Sequence, residues 1–590
     1  MKKTRFYTPC LFMLAFAFLP SRNGMAQEDS VKSIRFGNGV KEVHYGIPFL
    51  YLKGTDYEAG LQYGHLLQNE LKAMYVDFEN LMQNLMDREI KHLPWYQRLF
   101  ANLFGGMVLR HRINAYADRI PADIEDQMRG ASEGSGLPLS FFRKIQVMAD
   151  LYSKRCEGAV IIKGLHTYHC HNLDQPMPLN LLAKYPMVAS YDIPGKAKYT
   201  NIGFVACLMI TTACNEYGIS FSENGNNNPR PFDQGKANLY IERNKLITQT
   251  DNLKKVDSLI HTVRFPMGLI FTVASSRERQ AAVYDLLGKA KAATPVNSVQ
   301  FVANRTVSGV LGKKSESIYS GDFHDIAREI KFAELIDTTQ LNMVDEAIRI
   351  LSNVDFYHYT GSISVHIESL HNFETDQSVV FDLADSTIYF ACHPHFAAWS
   401  RWLKYNCISR KVSVYREADP RLFSPDLSVM NKLFEAVESC DWRDSSNVRF
   451  LVNAIADSQI DNYFCLSFLS RTVLDYYKNP PEALKYAQKL VNAYPDVITG
   501  YFLNGRAYEE QKRHGEAIEQ YRLALGCKIQ CEYFLAGTCE HLALLNFSLG
   551  NQGLAAEYAE RALAIHNQYW IPEHLNKRIQ ELEEIRSKNK

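Results

Sequence analysis

Between about Val160 and Ala391 the chain alternates short β-rich runs with turn residues, and this block constrains the fold more than any other feature. Val160-Ile-Ile, Phe204-Val-Ala-Cys-Leu-Met-Ile, Gly218-Ile-Ser-Phe-Ser, Leu269-Ile-Phe-Thr-Val, Val299-Gln-Phe-Val, Ser362-Ile-Ser-Val-His-Ile, Ser378-Val-Val-Phe and Thr387-Ile-Tyr-Phe-Ala all predict strands. Helical stretches around 237–262 and 322–352 interrupt them. Strands and helices in this order predict an α+β domain built in layers.

The flanking regions have a different texture. Upstream, Leu67, Leu71, Met74, Phe78, Leu81 and Leu85 recur at steps of four and three, which predicts one helix over 57–90. Gly105-Gly106 is a break, and a second helix is expected over 107–120. Pro121 suits the first turn of a further helix reaching about Arg129, and the glycine-rich run from Gly130 to Pro138 reads as a loop. Downstream, the last 140 residues are helical and Ala-rich. Ala483 and Ala517 lie 34 residues apart, each after a Glu. Tyr501, Gly505, Tyr508, Ala517, Tyr521 and Ala524 fall on the spacing of a tetratricopeptide (TPR) repeat, and a further unit fits Ala543, Ala555, Ala559 and Ala562. Small residues recur where paired helices must cross closely. The tail is therefore expected to be an all-α helical-repeat domain over 456–590, joined by a linker over 416–455.

The 590 residues suffice for two to four domains. Lys plus Arg equals Asp plus Glu at 65 each, so no global basic excess points to nucleic acid or an anionic membrane. Lys2, Lys3 and Arg5 precede a short apolar core, Leu11 to Leu19, and Gly24-Met25-Ala26 offers small residues for cleavage. This reads as a signal peptide over 1–26, hence a secreted or periplasmic protein, and no later segment is apolar for long enough to span a bilayer. Of twelve cysteines Cys10 would leave with the signal, and the remaining eleven contain no CxxC pair, so no disulfide framework is implied.

The stretch from Cys156 to Asp174 carries the chemistry. It reads as strand, tight turn near Lys163 to His166, and strand, with paired residue numbers summing to about 329. Cys156 then lies opposite Asn172 to Asp174, which places a thiol beside an amide and a carboxylate. If the chain is cut before Cys156, the exposed α-amine has a reference pKa of about 7.7–8.0 against about 8.5 for the thiol. Proton transfer between them costs only about 1 kcal/mol, so one N-terminal residue can be both nucleophile and base. His166, His169, Cys170 and His171 invite a zinc assignment. Strand alternation separates Cys170 from His169 and His171, which leaves too few ligands, and no metal or other cofactor is expected.

This arrangement resembles the Ntn hydrolases related to isopenicillin-N (acyl-CoA:6-aminopenicillanic acid) acyltransferase, and more distantly bile-salt hydrolases and acid amidases. The resemblance covers roughly residues 45–410. It is carried by Gly54-Thr-Asp-Tyr57-Glu58-Ala-Gly60-Leu-Gln-Tyr63-Gly64, by Gly130-Ala131-Ser132-Glu133-Gly134, and by the 16- and 18-residue spacing from Cys156 to Asn172 and Asp174. It implies an αββα four-layer sandwich, with 27–155 as a pro-segment or light chain and 156–415 as the catalytic core. It further implies Cys156 as nucleophile, Asp174 beside its α-amine, and Asn224 and Asn304 as oxyanion or substrate-binding asparagines. Arg328 would match an arginine that follows, and Asn172 would have a supporting role. Two positions depart from the family: Glu157 stands where Thr or Ser is usual, and His171 where bile-salt hydrolases carry arginine. The expected activity is cleavage of a linear, non-peptide amide of a small molecule. Acyl transfer to an amine, or a non-catalytic interaction protein binding a partner through its repeats, are the alternatives.

Overall fold

A computed structural model describes residues 31–92, 119–149, 155–175, 179–226 and 240–588, apart from 266–267, 289, 312–315, 317, 322, 361–367 and 393–395. The signal segment, residues 107–118 of the helix expected over 107–120 and the strand expected at Ser362 lie outside the described residues.

The first sheet has ten strands in the order β1-β2-β3-β6-β7-β8-β9-β10-β11-β12. They are β1 (Lys32–Phe36), β2 (Gly39–His44), β3 (Ile47–Lys53), β6 (Pro186–Asp192), β7 (Tyr199–Phe204), β8 (Thr212–Asn215), β9 (Ile219–Gly225), β10 (Leu269–Ser275), β11 (Gln280–Leu287) and β12 (Ala290–Val296). The second has seven, in the order β13-β4-β5-β14-β15-β16-β17. These are β4 (Arg155–Lys163), β5 (His166–Asp174), β13 (Val299–Val302), β14 (Thr375–Asp382), β15 (Thr387–Cys392), β16 (Trp402–Asn406) and β17 (Val412–Arg416).

Side-chain alternation assigns the layers. Phe49, Tyr51, Val160, Val379 and Phe381 belong to one apolar core between the sheets. Their neighbours Leu50 and Leu52 face outward from the first sheet, onto helices α1 (Asp56–Leu66), α2 (Gln68–Ile90), α3 (Ala122–Ser135) and α4 (Leu139–Ala149). Ala159, Ile161 and Val380 face outward from the second, onto helices of the segment 323–351. The layer order is therefore αββα, an α+β sandwich.

Several expectations change at the level of elements. The helix expected over 57–90 breaks at Leu67 (φ −104°, ψ 19°) into α1 and α2. Residues 130–135, expected as loop, continue α3, because their glycines serve helix packing and not a turn. A Cβ on Gly60 would stand 2.1 Å from the Gln127 carbonyl oxygen, and one on Gly130 would stand 2.2 Å from that of Tyr57. Gly64 and Gly134 repeat the contact one turn on, against Ala131 and Leu61. Only glycines let α1 and α3 approach this closely. The run after Phe204 is buried but not strand: Ala206 turns back with φ 68°, and Asn244 bonds the main chain of Leu208 and Ile210. In the expected helical stretch 237–262 the described residues hold a 3₁₀ turn and two short helices, α5 (Lys245–Thr248) and α6 (Leu253–Thr262). The stretch 322–352 holds α7 (Phe323–Leu335) and α8 (Met343–Leu351).

The expected linker is also corrected. Within 416–455 lie α9 (Pro425–Ser439) and most of α10 (Ser445–Asp457). Ser424 caps the first through the Leu427 N–H with Pro425 in the first turn, and Asp444 caps the second through the Ser446 N–H. Three helical hairpins follow: α11 (Tyr463–Asp475) with α12 (Pro480–Ala493), α13 (Ile498–Glu510) with α14 (His514–Gly526), and α15 (Glu532–Ser548) with α16 (Gln552–His566). A last helix is α17 (Asn576–Ser587). Ala483, Ala517, Ala524, Ala543, Ala555, Ala559 and Ala562 are all fully buried where helices cross. A Cβ on Gly505 would meet the Tyr521 ring at 2.5 Å.

The array shares its core with the sandwich. Phe323, Ala327, Phe356 and Tyr357 pack among Tyr463, Leu466, Tyr494 and Phe534. Phe356 stacks on Tyr463 at 4.4 Å between ring centroids. Val354, Phe373, Phe396 and Trp399 pack into α9 to α13 in the same way. A boundary at 455/456 therefore divides a continuous apolar core.

Candidate active site

The β4–β5 hairpin has the register that the sequence predicts: Cys156 pairs with Leu173, Glu157 with Asn172, and Arg155 with Asp174. By alternation Cys156 shares the inter-sheet face with Val160, while Glu157, Asn172 and Asp174 share the opposite face, toward α7 and α8. Cys156 is fully buried in the uncut chain.

The main chain of Cys156 is held at both ends. Its N–H donates to Asn304 Oδ1 at 3.4 Å. Its carbonyl oxygen accepts from Asn224 Nδ2 at 3.2 Å and from Arg328 Nη1 at 3.3 Å. Asn224 comes from the end of β9, Asn304 follows β13, and Arg328 stands on α7. Asn224 Nδ2 also donates to the carbonyls of Val302 and Ala303, and Asn304 Nδ2 to that of Gly225. Asn304 Oδ1 additionally accepts from Arg328 Nη2 at 2.8 Å. With two donors on its oxygen and a carbonyl at its nitrogen, the orientation of this amide is fixed. Its contact with Cys156 in the uncut chain is therefore as an acceptor, whereas the resemblance implies an oxyanion donor.

Arg328 organises the buried charge. Its Nη1 donates to Glu157 Oε2 at 2.6 Å and its Nη2 to Asp325 Oδ1 at 2.7 Å, and Asp174 Oδ2 lies 3.8 Å from Nη1. His324 accepts from it too, through Nε2 at 3.0 Å and its carbonyl at 2.9 Å, so the i−3 and i−4 neighbours on one helix hold the guanidinium. Three carboxyl side chains thus surround one guanidinium with no exposure to water. Burial opposes the charge on Arg328, but Glu157, Asp325 and Asp174 outweigh it and raise its pKa further. Burial and the nearby Asp174 push Glu157 well above the usual carboxylate range, against the pull of Arg328. Burial likewise pushes Asp174 up to about 6, with Arg328 opposing it. At 3.8 Å the guanidinium is too far to hydrogen-bond Asp174, so its pull there is Coulombic only.

Asp174 accepts from Asn372 Nδ2 and Thr375 Oγ1, each at 2.8 Å. Asn172 lies one strand pair away. Its Nδ2 donates to Glu157 Oε1 at 2.7 Å and to the carbonyls of Leu351 and Leu370, and its Oδ1 accepts from Ser378. Asn172 thus anchors Glu157, and through it Arg328. All six residues singled out in the sequence meet here. Asp325, Asn372 and Thr375 were missed. The Asp325/Arg328 spacing on one helix was a usable signal for the first, while the other two lie on a loop and a strand start with nothing local to mark them.

Two histidines of the run, His169 and His171, serve structure. His169 places its ring nitrogens 2.7 Å from Ser220 Oγ and 2.8 Å from Ser222 Oγ. His171 reaches Thr212 Oγ1 at 3.0 Å and the Glu223 carbonyl at 3.1 Å. Both bridge the two sheets. Burial pushes His169 down to about 3, so it is neutral at physiological pH.

No protein-family model matches the sequence, and no curated protein matches it. In fold comparison the chain is similar to a Caenorhabditis elegans N-acylethanolamine-hydrolyzing acid amidase ortholog, at 16% identity and TM-score 0.30, over 39% of this chain and 93% of that one. It is similar to penicillin V acylase from Agrobacterium tumefaciens at 9% identity and TM-score 0.27, over 45% of this chain and 98% of that one. It is also similar to a variant of conjugated bile acid hydrolase from Clostridium perfringens, at 10% identity and TM-score 0.30, over 45% and 98%. At these scores the activities of those proteins do not transfer to this chain.

Proposed function

We propose that this chain is an exported cysteine amidohydrolase of the N-terminal-nucleophile type, which cleaves a linear, non-peptide amide through an acyl-Cys156 intermediate. The observation that carries the reading is the convergence of Asn304, Asn224 and Arg328 on the N–H and carbonyl of Cys156. Catalytic machinery clamped around the main chain of one cysteine suits a residue whose own backbone nitrogen takes part in the reaction.

Maturation comes first. The Cys156 thiol attacks the carbonyl carbon of Arg155, the C–N bond breaks, and the nitrogen takes up a proton. Water then hydrolyses the resulting thioester, leaving a free carboxylate on Arg155 and a free α-amine on Cys156. Lys154-Arg155 is a dibasic pair, so an outside trypsin-like protease is the competing route to the same cut. After cleavage the α-amine lies by Asn304 Oδ1, beside the Asp174 carboxyl on the partner strand. The amine takes the thiol proton, and the thiolate attacks the substrate carbonyl. Asn224 Nδ2, which already donates to the Cys156 carbonyl, turns toward the new oxyanion and supplies stabilisation of a kind worth roughly 3–4 kcal/mol, while Asn304 keeps its oxygen on the α-amine. The amine returns its proton to the leaving nitrogen, and water resolves the acyl-cysteine. The C-terminal hairpins are read as TPR-like repeats, available to a protein partner.

Release of amine from a panel of N-acyl amides, assayed with the mature protein, tests this. Cys156→Ala should abolish turnover and Cys156→Ser should leave little. Wild-type rates in Cys156→Ala on any substrate of the panel would defeat the proposal.

A further inference from the structure

A second pair of reactive groups lies at the opposite end of the sandwich. Cys214, on β8, pairs with Ser220 at the start of β9, while the Cys156 cluster lies by Asn224 at its end. That separation is roughly 13 Å along the strand. The Sγ of Cys214 stands 3.9 Å from the Sγ of Cys407, in the turn between β16 and β17. One cysteine thus belongs to the first sheet and the other to the second.

Their surroundings favour chemistry between them. Both line a cavity of about 390 Å³ that Tyr51, Ser190, Thr200 and Arg410 also border. Cys214 is buried and Cys407 half-buried, so a small reagent entering the cavity meets Cys407 first. The main chain of the turn is held, with the Cys407 N–H on the Ser386 carbonyl at 2.9 Å, so closure falls to the two cysteine side chains. A disulfide needs the sulfurs roughly 1.9 Å closer than their 3.9 Å contact, a shift that side-chain rotation in such a turn can absorb. Cys407, the more exposed of the two, is the attacking group.

We propose that Cys214 and Cys407 form a disulfide that staples the two sheets together at the end remote from Cys156. The oxidant is a small-molecule or protein disulfide. The Cys407 thiolate attacks one of its sulfurs, forming a mixed disulfide and releasing one thiol. The Cys214 thiolate then attacks the Cys407 sulfur and expels the second thiol. Two protein thiols and one disulfide become one protein disulfide and two thiols. The bond closes a loop of nearly two hundred residues, so it stabilises the folded sandwich mainly by restricting the unfolded chain.

The test treats folded full-length protein with oxidised glutathione, then denatures it in N-ethylmaleimide and maps unreduced peptides by mass spectrometry. The expected result is a linked Cys214–Cys407 peptide and an unfolding temperature raised by roughly 5–10 °C, reversed by reductant. Cys407→Ser, in the turn, should fold normally and lose both effects. Alkylation of both cysteines after oxidation would overturn the proposal. So would glutathione retained on Cys407, or the same thermal gain in Cys407→Ser.

Discussion

Arg328 Nη1 donates to the Cys156 carbonyl oxygen at 3.3 Å from a helix whose first residue, Phe323, is buried in the core of the C-terminal array. The position of the proposed nucleophile is thus linked through α7 to the helical hairpins. Phe323 meets Phe356 and Tyr463 edge-on, at 5.8 Å and 6.4 Å between centroids. The array therefore supports the site mechanically, besides any partner it engages.

Arg328 hydrogen-bonds both Glu157 and Asp325. Arg328→Met leaves their carboxyls buried without it and should cost about 3–5 kcal/mol in urea unfolding, with loss of maturation. Glu157→Gln replaces a carboxyl that burial already drives toward its neutral form, so it should cost under about 1.5 kcal/mol. Equal losses in the two variants would contradict this charge balance.

Asp174 gives stability a pH signature. Its folded pKa, near 6, lies above the unfolded value of about 3.9, so the folded state binds the proton more tightly. Its contribution is fully present below about pH 4, declines as pH rises toward 6, and is lost above. Asp285 is also pushed up to about 6 by burial and adds to the same slope, so the comparison is with Asp174→Asn. Relative to that variant, the wild-type protein should lose roughly 2–3 kcal/mol between pH 4 and 7. A difference independent of pH would show that Asp174 does not titrate there.

Phe356→Ala removes a fully buried ring stacked on Tyr463 and should cost about 3–5 kcal/mol. Truncation after residue 424 should leave the sandwich insoluble or inactive. A truncated protein with full activity would show that α7 keeps its position without the array.

The paired glycines make a sharper case because two effects oppose each other. Alanine in place of Gly60 gains up to about 1 kcal/mol of helix propensity, but its Cβ would stand 2.1 Å from a backbone oxygen that cannot move aside. The clash should dominate, with a net loss of at least about 2 kcal/mol. Gly553→Ala in α16 meets nothing within 4 Å and should be neutral or stabilising. Thermal unfolding of both variants distinguishes packing from propensity.

These glycines also show where reading the sequence succeeds and fails. The hairpin register was legible because a short turn fixes which residues face one another, and Cys156 opposite Leu173 follows from counting. A strand such as β10, buried on both faces, stands out as an apolar run. By contrast β1, β12 and β17 are exposed or half-exposed and carry mixed residues. The run 130–135 misleads because glycine serves turns and close helix contacts alike, and only the partner helix distinguishes them. The convergence of Asn224, Asn304 and Arg328 on one cysteine came from resemblance to a family, since no local pattern joins residues so far apart. Glu157, a departure from that family, gains its meaning only when Arg328 is seen beside it.

The central claim is that Cys156 works as an N-terminal residue. Intact-mass and N-terminal sequence analysis of purified wild-type protein and Cys156→Ala tests it most directly, with amide turnover measured on the same samples. The account predicts that active wild-type protein is cut between Arg155 and Cys156, with the upstream segment retained as a light chain, and that Cys156→Ala stays uncut and inactive. Cleavage of both proteins would assign the cut to an outside protease and leave the nucleophile in place. A fully active wild-type chain with an unbroken Arg155–Cys156 bond would contradict the account, because no α-amine would then exist to take the thiol proton.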